Sequence, residues 1–340
     1  DNDAICKKYC DKFYPISFTD KDAVLEVCKN ENVDGITSFS LESALPTVIY
    51  VSQKLGLTSN NEDCLQLTVN KYTMRNAFKD AKLPVPAYYL LKDIKELNGI
   101  NLQYPVIVKP VDSGGSQGVT KVDNDKDLVA SYNFAKSCSR TKTVIIEDFI
   151  DGREFSVEYL SYKGKHYFMQ VTDKVTSGAP HFIEMQHHQP ADISEEIKKE
   201  IQSIVERALT SLKIENSPSH TEIKINSKGE IYIIEIGPRM GGDYITSDLV
   251  RLSTGYNMVK GALEIATNSF EIPVIQKNKF SGVYFYSKLA KHIGEIIRNH
   301  KNYNEIVECE ISDTVLHDVH SNADRNGYLL YQSDNIKINF

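Results

Sequence analysis

The chain has 340 residues, of which 41% are hydrophobic and 25% are charged, and its formal net charge is -7. A globular chain of this length ordinarily divides into two or three domains, each able to bury a core. The acidic balance offers no basic surface for a polyphosphate backbone, so we expect no nucleic-acid partner. Scattered cysteines without a C-x-x-C pair, and the lack of an apolar run of roughly 20 residues, favour a cytoplasmic protein with no membrane partner.

The beginning of the chain is predicted to form part of a parallel α/β layer. Thr19 with Asp22 reads as a capping box that opens a helix, residues 33–39 form a short β-type run, and a second helix ends at Gly56. Helix, strand and helix in this order are typical of a parallel layer, in which a strand needs neighbours on both sides. We therefore expect a further strand upstream of Asp1.

The middle of the chain alternates helical and β-type patterns. A helix of about five turns is predicted from Asn70, followed by a buried, β-branched strand at residues 104–110. Residues 143–176 then alternate as three antiparallel strands. Asp192 with Glu195 reads as a capping box that opens an amphipathic helix.

The last third of the chain is predicted to be rich in strands. Residues 220–225 and 230–237 read as two strands that are joined by a tight turn. From Phe280 onward the pattern predicts further short strands, with Asn326 and Gly327 as a hairpin signal. The sequence as a whole therefore predicts an α/β protein with antiparallel sheet in its central part.

The segment that is most informative about chemistry is a glycine- and serine-rich loop directly after Lys109, which ends a predicted strand. Glycines let backbone N–H groups approach phosphate oxygens, and a lysine at a strand end supplies positive charge. The loop is neither a Walker A loop nor a dinucleotide fingerprint, and a mobile surface turn is the alternative. We predict that it covers the phosphates of ATP through Ser113, Gly114, Gly115, Ser116 and Gly118.

Two acidic side chains lie on the pair of strands that the tight turn joins, Glu222 on the first and Glu235 on the second. Two buried carboxylates side by side resist ionising unless a cation lies between them. Hard oxygen ligands suit Mg²⁺ or Mn²⁺ bridging nucleotide phosphates. A salt bridge to Lys224 or Arg239 is the alternative for one acid alone. The pair, followed by a glycine-framed arginine, favours a metal site at Glu222 and Glu235.

Four separated motifs together resemble the ATP-grasp superfamily: Lys71, Lys109 with its loop, the run EDFIDGRE at residues 147–154, and the Glu222 and Glu235 pair with Arg239. The resemblance covers about residues 66–265. It implies an ATP-grasp fold of the α/β (α+β) class. The implied parts are a partial N-terminal α/β substrate-side domain at residues 1–65, an ATP-grasp domain at 66–268 with a lid subdomain at about 104–150, and a β-rich portion at 269–340.

The resemblance also assigns roles to residues. The hinge backbone reads adenine, a carboxylate takes the ribose hydroxyls, and an apolar residue lies under the base. The implied nucleotide-binding residues outside the glycine loop are Lys71, Lys109, Glu147, Asp148, Phe149, Ile150, Glu154 and Ile234. The implied catalytic residues are Lys109 and Arg239. The implied substrate residues are Lys174, His187, His220, Arg239, Gly241 and Gly242.

The form EIG-x-R-x-GG at residues 235–242 resembles a subgroup of carboxylate–amine ligases that contains L-amino acid (dipeptide) ligases, with carbamoyl phosphate synthetase and biotin carboxylase-like proteins as further relatives. Gly237 stands where many members carry an asparagine metal ligand, so water or another side chain has to complete the metal sphere.

The implied function is ATP-dependent ligation of a small-molecule carboxylate to an amine through an acyl phosphate, with an amino acid substrate. A homodimer is common by resemblance. The alternatives are a bicarbonate-activating or glycinamide ribonucleotide synthetase-like enzyme, and a non-catalytic nucleotide-binding regulator.

Overall fold

The computed structural model of the chain describes residues 4–115, 117–178 and 182–340. Within these ranges the α-helices are α1 (Lys21–Glu31), α2 (Leu45–Leu55), α3 (Glu62–Val69), α4 (Lys71–Asp80), α5 (Asp125–Cys138), α6 (Glu195–Ser211), α7 (Val250–Thr254), α8 (Met258–Ala266) and α9 (Lys291–Arg298). The β-strands are β1 (Tyr88–Leu91), β2 (Val106–Pro110), β3 (Thr120–Val122), β4 (Val144–Asp148), β5 (Arg153–Tyr162), β6 (Lys165–Thr176), β7 (Glu184–Gln189), β8 (Ser217–Ile225), β9 (Ile231–Gly237), β10 (Phe280–Tyr286), β11 (Ile306–Ile311) and β12 (Gly327–Ser333). None of the helices in this described part combines the length and apolar character that a bilayer span requires.

The strands form two sheets, and each recorded strand pair is antiparallel. The smaller sheet has 4 strands in the order β1-β4-β2-β3. The larger sheet has 8 strands in the order β11-β12-β10-β7-β6-β5-β8-β9. Helix α5 packs against the smaller sheet and supplies part of its core. The two sheets are consecutive in the chain, so the turn after β4 leads directly from one sheet into the other.

The larger sheet has one apolar face and one face that is mostly polar in its centre. Helices α4 and α6 cover the apolar face through a core that includes Met74, Ile201 and Phe155. Because side chains alternate along a strand, Glu154 and Glu158, on either side of Phe155 in β5, point to the opposite face. Burying each large apolar side chain stabilises the folded state by roughly 2 kcal/mol, so the face that carries these side chains is the one that packs against the helices. The charged residues are therefore collected on the other face.

Several predicted elements are confirmed, and the turn-connected strands are the clearest. Strands β5 and β6 pair across the turn at Lys163 and Gly164, as predicted. Strands β8 and β9 also pair as the tight turn predicted. Helix α2 ends at Gly56, which adopts a left-handed conformation with φ of 69°. These elements are specified by local turn and cap residues, so sequence patterns were sufficient to find them.

The predicted strand at residues 33–39 is wrong, because no residue of this stretch is in a strand. No strand is described in the first 80 residues, so an extended stretch there has no sheet partner. The backbone of this stretch forms a hydrogen bond outside any sheet, since the Phe39 carbonyl accepts from the Met240 N–H at 2.9 Å. The cap of α1 is also corrected: Asp20, not Thr19, accepts from the Ala23 N–H, at 3.1 Å.

Three further boundaries differ from the predictions. Helix α4 has 10 residues rather than about five turns, and the separate helix α3 precedes it. Helix α6 is capped by Ser194, which accepts from the Ile197 N–H at 3.3 Å, and not by Asp192. Strands β11 and β12 do pair, but a long loop joins them, and Asn326 and Gly327 form no tight hairpin, since Gly327 is the first residue of β12. Helix α9 within the C-terminal portion was not predicted.

Candidate active site

The polar face of the larger sheet brings several predicted site residues into one place. Cross-strand neighbours share a face, and the register pairs Glu154 with Lys174, and Lys174 with His187, on β5, β6 and β7. The same register pairs Glu222 with Glu235 across β8 and β9. Glu154 is also paired with Lys224 on β8, so titratable side chains of the four adjacent strands β7, β6, β5 and β8 lie in one row.

The two acids that were predicted to bind a metal are each held by a lysine. The Glu222 carboxylate lies 2.9 Å from the Lys174 ammonium, which holds the pKa of that carboxyl well below its usual range. The Glu235 carboxylate lies 2.9 Å from the ammonium of Lys71 at the start of α4. The two carboxylates occupy registered positions on β8 and β9, and carboxylate oxygens are the donors that a divalent hard cation such as Mg²⁺ prefers.

Lys109, at the end of β2, belongs to a buried charge network that the sequence did not reveal. Its ammonium lies 2.5 Å from the Glu147 carboxylate of β4. The same carboxylate accepts from Arg75 Nε at 2.7 Å and from Arg75 Nη2 at 3.3 Å. Burial opposes ionisation of Glu147, but the charges of Arg75 and Lys109 outweigh it and lower its pKa to about 2. Glu147 therefore positions the lysine and the α4 arginine together.

The predicted phosphate loop lies between β2 and β3, next to Lys71. The Ser113 carbonyl accepts from the Lys71 ammonium at 2.9 Å, whereas the Ser113 hydroxyl donates to the Cys138 carbonyl at 2.8 Å. Gly114 and Gly115 are exposed. Gly118 has φ of 76°, and a methyl group there would lie 2.8 Å from Cβ of Cys138. Ser116 lies outside the described residues.

The hinge after β4 leaves only part of its backbone free. The N–H of Asp148 donates to the Ala87 carbonyl at 3.0 Å, and the N–H of Phe149 donates to the Pro105 carbonyl at 3.1 Å. The Ile234 carbonyl is also engaged, since it accepts from Arg75 Nη2 at 2.7 Å. A base at this hinge would therefore find the N–H of residue 150 rather than those of residues 148 and 149.

Glu154, which was predicted to take the ribose hydroxyls, faces two cations in the same row. Its carboxylate lies 3.2 Å from the Lys174 ammonium and 3.9 Å from the Lys224 ammonium. Lys174 therefore contacts three carboxylates, those of Glu154, Glu222 and Glu184. Burial disfavours the charged form of Lys174, but these acids outweigh it and raise its pKa well above the usual value.

His220 forms a buried ion pair next to the Gly241 backbone. Its Nδ1 lies 2.6 Å from the Glu158 carboxylate, and its Nε2 lies 3.6 Å from that of Glu222. Burial disfavours the imidazolium, but Glu158 outweighs this effect and raises the pKa of His220 to about 9. A methyl group at Gly241 would lie 2.7 Å from His220 Nδ1. Gly241 is therefore required by close packing, whereas Gly242 has open space around it.

A second acidic group lies beside Lys174 and includes residues that the sequence did not single out. Glu184, His187 and Asp243 each place one ligand atom within 4.8 Å of the others. Glu184 pairs with Lys174 at 2.8 Å, and Asp243 pairs with Arg325 at 2.6 Å. His187 is fully buried, and neither of its ring nitrogens has a hydrogen-bond partner in the part of the chain that is described.

Arg239 lies at the junction of the N-terminal portion and the sheet. A methyl group at Gly237 would lie 3.3 Å from Cγ and from Nε of Arg239, so the arginine covers this glycine. Arg239 Nη1 donates to the Met240 carbonyl at 3.0 Å, while its buried Nε has no partner among the described residues. The guanidinium therefore keeps donors for an anionic group.

Glu42, which the sequence reasoning missed, enters the site from the N-terminal portion. A methyl group at Gly114 would lie 3.4 Å from Glu42 Oε2. Burial first, and then the negative charge of Glu235, raise the pKa of Glu42. No local pattern marks such a residue, because its position depends on how the loop at residues 37–44 packs against Met240 and Gly241.

Comparisons with known proteins bear on the family and the fold of the chain. Residues 102–248 match the family model described as an ATP-grasp domain. An L-arginine-specific L-amino acid ligase from Bacillus subtilis is 22% identical over 296 residues, covering 85% of this chain and 70% of that protein. A D-alanine–D-alanine ligase from Christiangramia forsetii is 30% identical over 199 residues, covering 55% of this chain and 60% of that protein.

Among solved structures, the L-amino acid ligase from Bacillus licheniformis superposes with a TM-score of 0.77 at 25% identity, covering 94% of this chain and 81% of that one. The chain spans between 21% and 60% of the length of the first curated relatives that it matches. The chain therefore has the ATP-grasp fold and contains an ATP-grasp domain, as the four sequence motifs predicted.

Proposed function

We propose that the chain is an ATP-dependent carboxylate–amine ligase that activates its carboxylate substrate as an acyl phosphate and uses an amino acid. The observation that carries the proposal is that Glu222 and Glu235 are registered neighbours on β8 and β9 at one edge of the larger sheet, with Lys71 bound to Glu235 and Arg239 following β9. A pair of carboxylates for a divalent cation beside donors for phosphate and carboxylate oxygens is what phosphoryl transfer to a carboxylate requires.

In this proposal the smaller sheet and the larger sheet hold ATP between them. Lys71, Lys109 and the glycine loop bind the phosphates, the hinge at residues 147–150 reads the adenine, and Glu154 accepts from the ribose. Ile234 lies under the base. Glu222 and Glu235 hold Mg²⁺ or Mn²⁺, which when bound spreads the negative charge of the phosphates.

The chemistry has two balanced steps. A carboxylate oxygen of the substrate attacks the γ-phosphorus, the bond from that phosphorus to the bridging oxygen breaks, and ADP leaves. The amine nitrogen then attacks the acyl carbon, the carbon–oxygen bond to phosphate breaks, and the nitrogen loses a proton. Arg239 holds the transferred phosphoryl group or the substrate carboxylate. Lys174, His187, His220, Gly241 and Gly242 line the substrate side.

The amino acid substrate is supported by the similarity to L-amino acid ligases over most of this chain. The chain is also similar to the large chain of carbamoyl phosphate synthase, at 26% identity over 235 residues. Bicarbonate is therefore the alternative to an amino acid as the activated substrate. A homodimer stays a prediction that sedimentation can test.

The test is ADP release with Mg²⁺ on the full chain, against single L-amino acids, pairs of L-amino acids, and bicarbonate. We expect release that depends on an amino acid, with a ligated product visible by mass. Glu235→Gln should abolish release while the protein stays folded. Release that depends only on bicarbonate would contradict the substrate class, and ATP that is bound but never consumed would favour a regulator.

A further inference from the structure

A buried aspartate lies where the chain leaves β2 and enters the phosphate loop. Asp112 is 7% exposed, and it has no part in the chemistry described above. Its carboxylate accepts from the Ser139 hydroxyl at 2.9 Å, from the Arg140 N–H at 3.2 Å and from the Thr141 N–H at 2.8 Å. Burial opposes ionisation of Asp112, but the hydrogen bonds from Thr141, Ser139 and Arg140 outweigh it and lower its pKa. The charged carboxylate therefore holds the turn that joins α5 to β4.

The same turn is also bonded to the backbone around Asp112. Arg140 Nη2 donates to the Asp112 carbonyl at 2.6 Å, and the Val111 N–H donates to the Thr143 carbonyl at 3.3 Å. Within the turn, the Thr143 N–H donates to the Ser139 hydroxyl at 3.1 Å. Hydrogen bonds that involve a charged partner are stronger and shorter than neutral ones. The orientation of the peptide that leads into the phosphate loop is therefore fixed by this turn.

Both ends of the phosphate loop contact Cys138, the residue that directly precedes the turn. At the first end, the Ser113 hydroxyl donates to the Cys138 carbonyl at 2.8 Å. At the second end, a methyl group on Gly118 would lie 2.8 Å from Cys138 Cβ and 3.2 Å from Pro110 Cδ. Contacts this close leave no room for independent movement. A shift of residues 138–141 would therefore displace both ends of the loop.

The residues on either side of Asp112 hold Lys71, which is predicted to bind the phosphates. The Ser113 carbonyl accepts from the Lys71 ammonium at 2.9 Å, and the Val111 carbonyl accepts from the Lys71 N–H at 2.8 Å. Lys71 is 5% exposed, so few other contacts with water are left to orient its ammonium. Donors that are already in place bind an anion without a cost of reorganisation. The position of the Lys71 ammonium therefore depends on the backbone that Asp112 fixes.

We infer that Asp112 is a positioning residue for the nucleotide phosphates: its carboxylate holds the turn at residues 139–141 and thereby fixes both ends of the phosphate loop and the Lys71 ammonium. This inference rests on the proposed function. Asp112 acts through the donors that it places and not by its own contact, since a carboxylate repels a phosphate. Binding of adenosine, which has no phosphate, should therefore not depend on Asp112.

The test compares the binding of ADP and of adenosine to the full chain by titration calorimetry, each in the presence of Mg²⁺. Asp112→Asn keeps the size of the side chain but replaces one acceptor oxygen with an NH₂ group, which faces a donor of the turn. We expect the affinity for ADP to fall by about tenfold and the affinity for adenosine to stay unchanged. A loss of stability alone would not produce this difference between the two ligands.

The matched control is Asp173→Asn, which changes an equally buried carboxylate of the larger sheet. Asp173 is 5% exposed and accepts from Arg153 Nη2 at 2.7 Å and from the Asp192 N–H at 2.9 Å. This variant should lower the melting temperature but leave the ratio of ADP affinity to adenosine affinity unchanged. Ser139→Ala removes one donor to Asp112 and no charge, so we expect its affinity for ADP to fall by about threefold. If Asp112→Asn does not fold, Ser139→Ala takes its place in the test.

An unchanged ratio of ADP affinity to adenosine affinity would overturn the inference, whether ADP binding is unaltered or both ligands bind more weakly. The wild type separates this failure from that of the proposed function. If the wild type binds ADP no more tightly than adenosine, the phosphate site fails, and the proposed function fails with it. If the wild type prefers ADP and the variant keeps the same preference, only the role of Asp112 fails.

Discussion

Replacing Glu147 with glutamine should destabilise the protein strongly, because this side chain neutralises two buried cations. Glu147 is 4% exposed, and Arg75 and Lys109 are 1% and 5% exposed. The carboxylate lies 2.7 Å from Arg75 Nε and 2.5 Å from Lys109 Nζ. Glutamine has nearly the same shape, so Glu147→Gln removes the charge without opening a cavity.

Two estimates of the cost agree. Removing one partner of a buried ion pair costs about 3 to 5 kcal/mol, because the remaining charge is left without compensation. Independently, the folded-state pKa of Glu147 is lowered from 4.5 to about 2. A difference of this size corresponds to stabilisation on the order of 3 kcal/mol at neutral pH. We therefore expect the free energy of unfolding of Glu147→Gln to fall by about 3 kcal/mol.

The pH dependence gives the same prediction a second readout. A lowered carboxyl pKa contributes stability above the unfolded-state value near 4.5, and this contribution is lost as the pH falls through about 2. The wild type should therefore lose more stability than Glu147→Gln over this window. Adding Lys109→Met to Glu147→Gln should recover part of the loss, because it removes one uncompensated cation.

Urea denaturation followed by circular dichroism measures these differences at pH 7 and at steps between about pH 4.5 and about pH 2. The control is Glu26→Gln, which breaks an exposed pair with Lys29 at 2.7 Å and should cost less than about 1 kcal/mol. A loss below about 1 kcal/mol in Glu147→Gln, similar to this control, would refute the reasoning.

Three further predictions concern the polar face. Gly241→Ala should reduce the rate of ADP release by about tenfold, because its methyl group would lie 2.7 Å from His220 Nδ1. Gly242→Ala places its methyl group in open space, so its rate of ADP release should be near normal. Equal effects of the two substitutions in kinetic assays would contradict this prediction. The raised pKa of His220 means that its stabilising pairing with Glu158 is fully present below about pH 6.5 and is lost as the pH rises through about 9. The stability difference from the double variant His220→Gln, Glu158→Gln should therefore shrink by on the order of 3 kcal/mol across that window in urea titrations, and a constant difference would argue against the pairing. Lys174→Met leaves three facing carboxylates without their shared cation. The melting temperature of this variant should therefore rise with added Mg²⁺ by more than that of the wild type. An identical response to Mg²⁺ would exclude the role of Lys174 in neutralising these carboxylates.

Sequence patterns were sufficient where the structure depends on neighbours in the chain. The tight turn after β8 was sufficient to predict that β8 and β9 pair, whereas a bulge in that pairing, with Ile234 as the extra residue of β9, is what places Glu235 opposite Glu222. Lys109 is followed at once by its glycine loop, so strand and loop could be found together. The motifs of the ATP-grasp domain are all of this local kind.

Long-range pairs could not be predicted in this way. Arg75 and Glu147 are 72 positions apart, and Asp243 and Arg325 are 82 positions apart. Each of these residues reads locally as an ordinary charged residue of a helix, strand or loop. The same limit explains the wrong strand at residues 33–39, whose β-type composition was real but whose partner is absent from the described part of the chain.

The most direct test of the proposed ligase is the fate of a labelled oxygen. The carboxylate substrate carries ¹⁸O in both oxygens, and the phosphate released during Mg²⁺-dependent turnover is analysed by mass spectrometry. Because an acyl phosphate returns one carboxylate oxygen with the phosphate, we predict one ¹⁸O atom in each phosphate released and one retained in the amide. Unlabelled phosphate, or release of AMP and pyrophosphate in place of ADP and phosphate, would contradict the account.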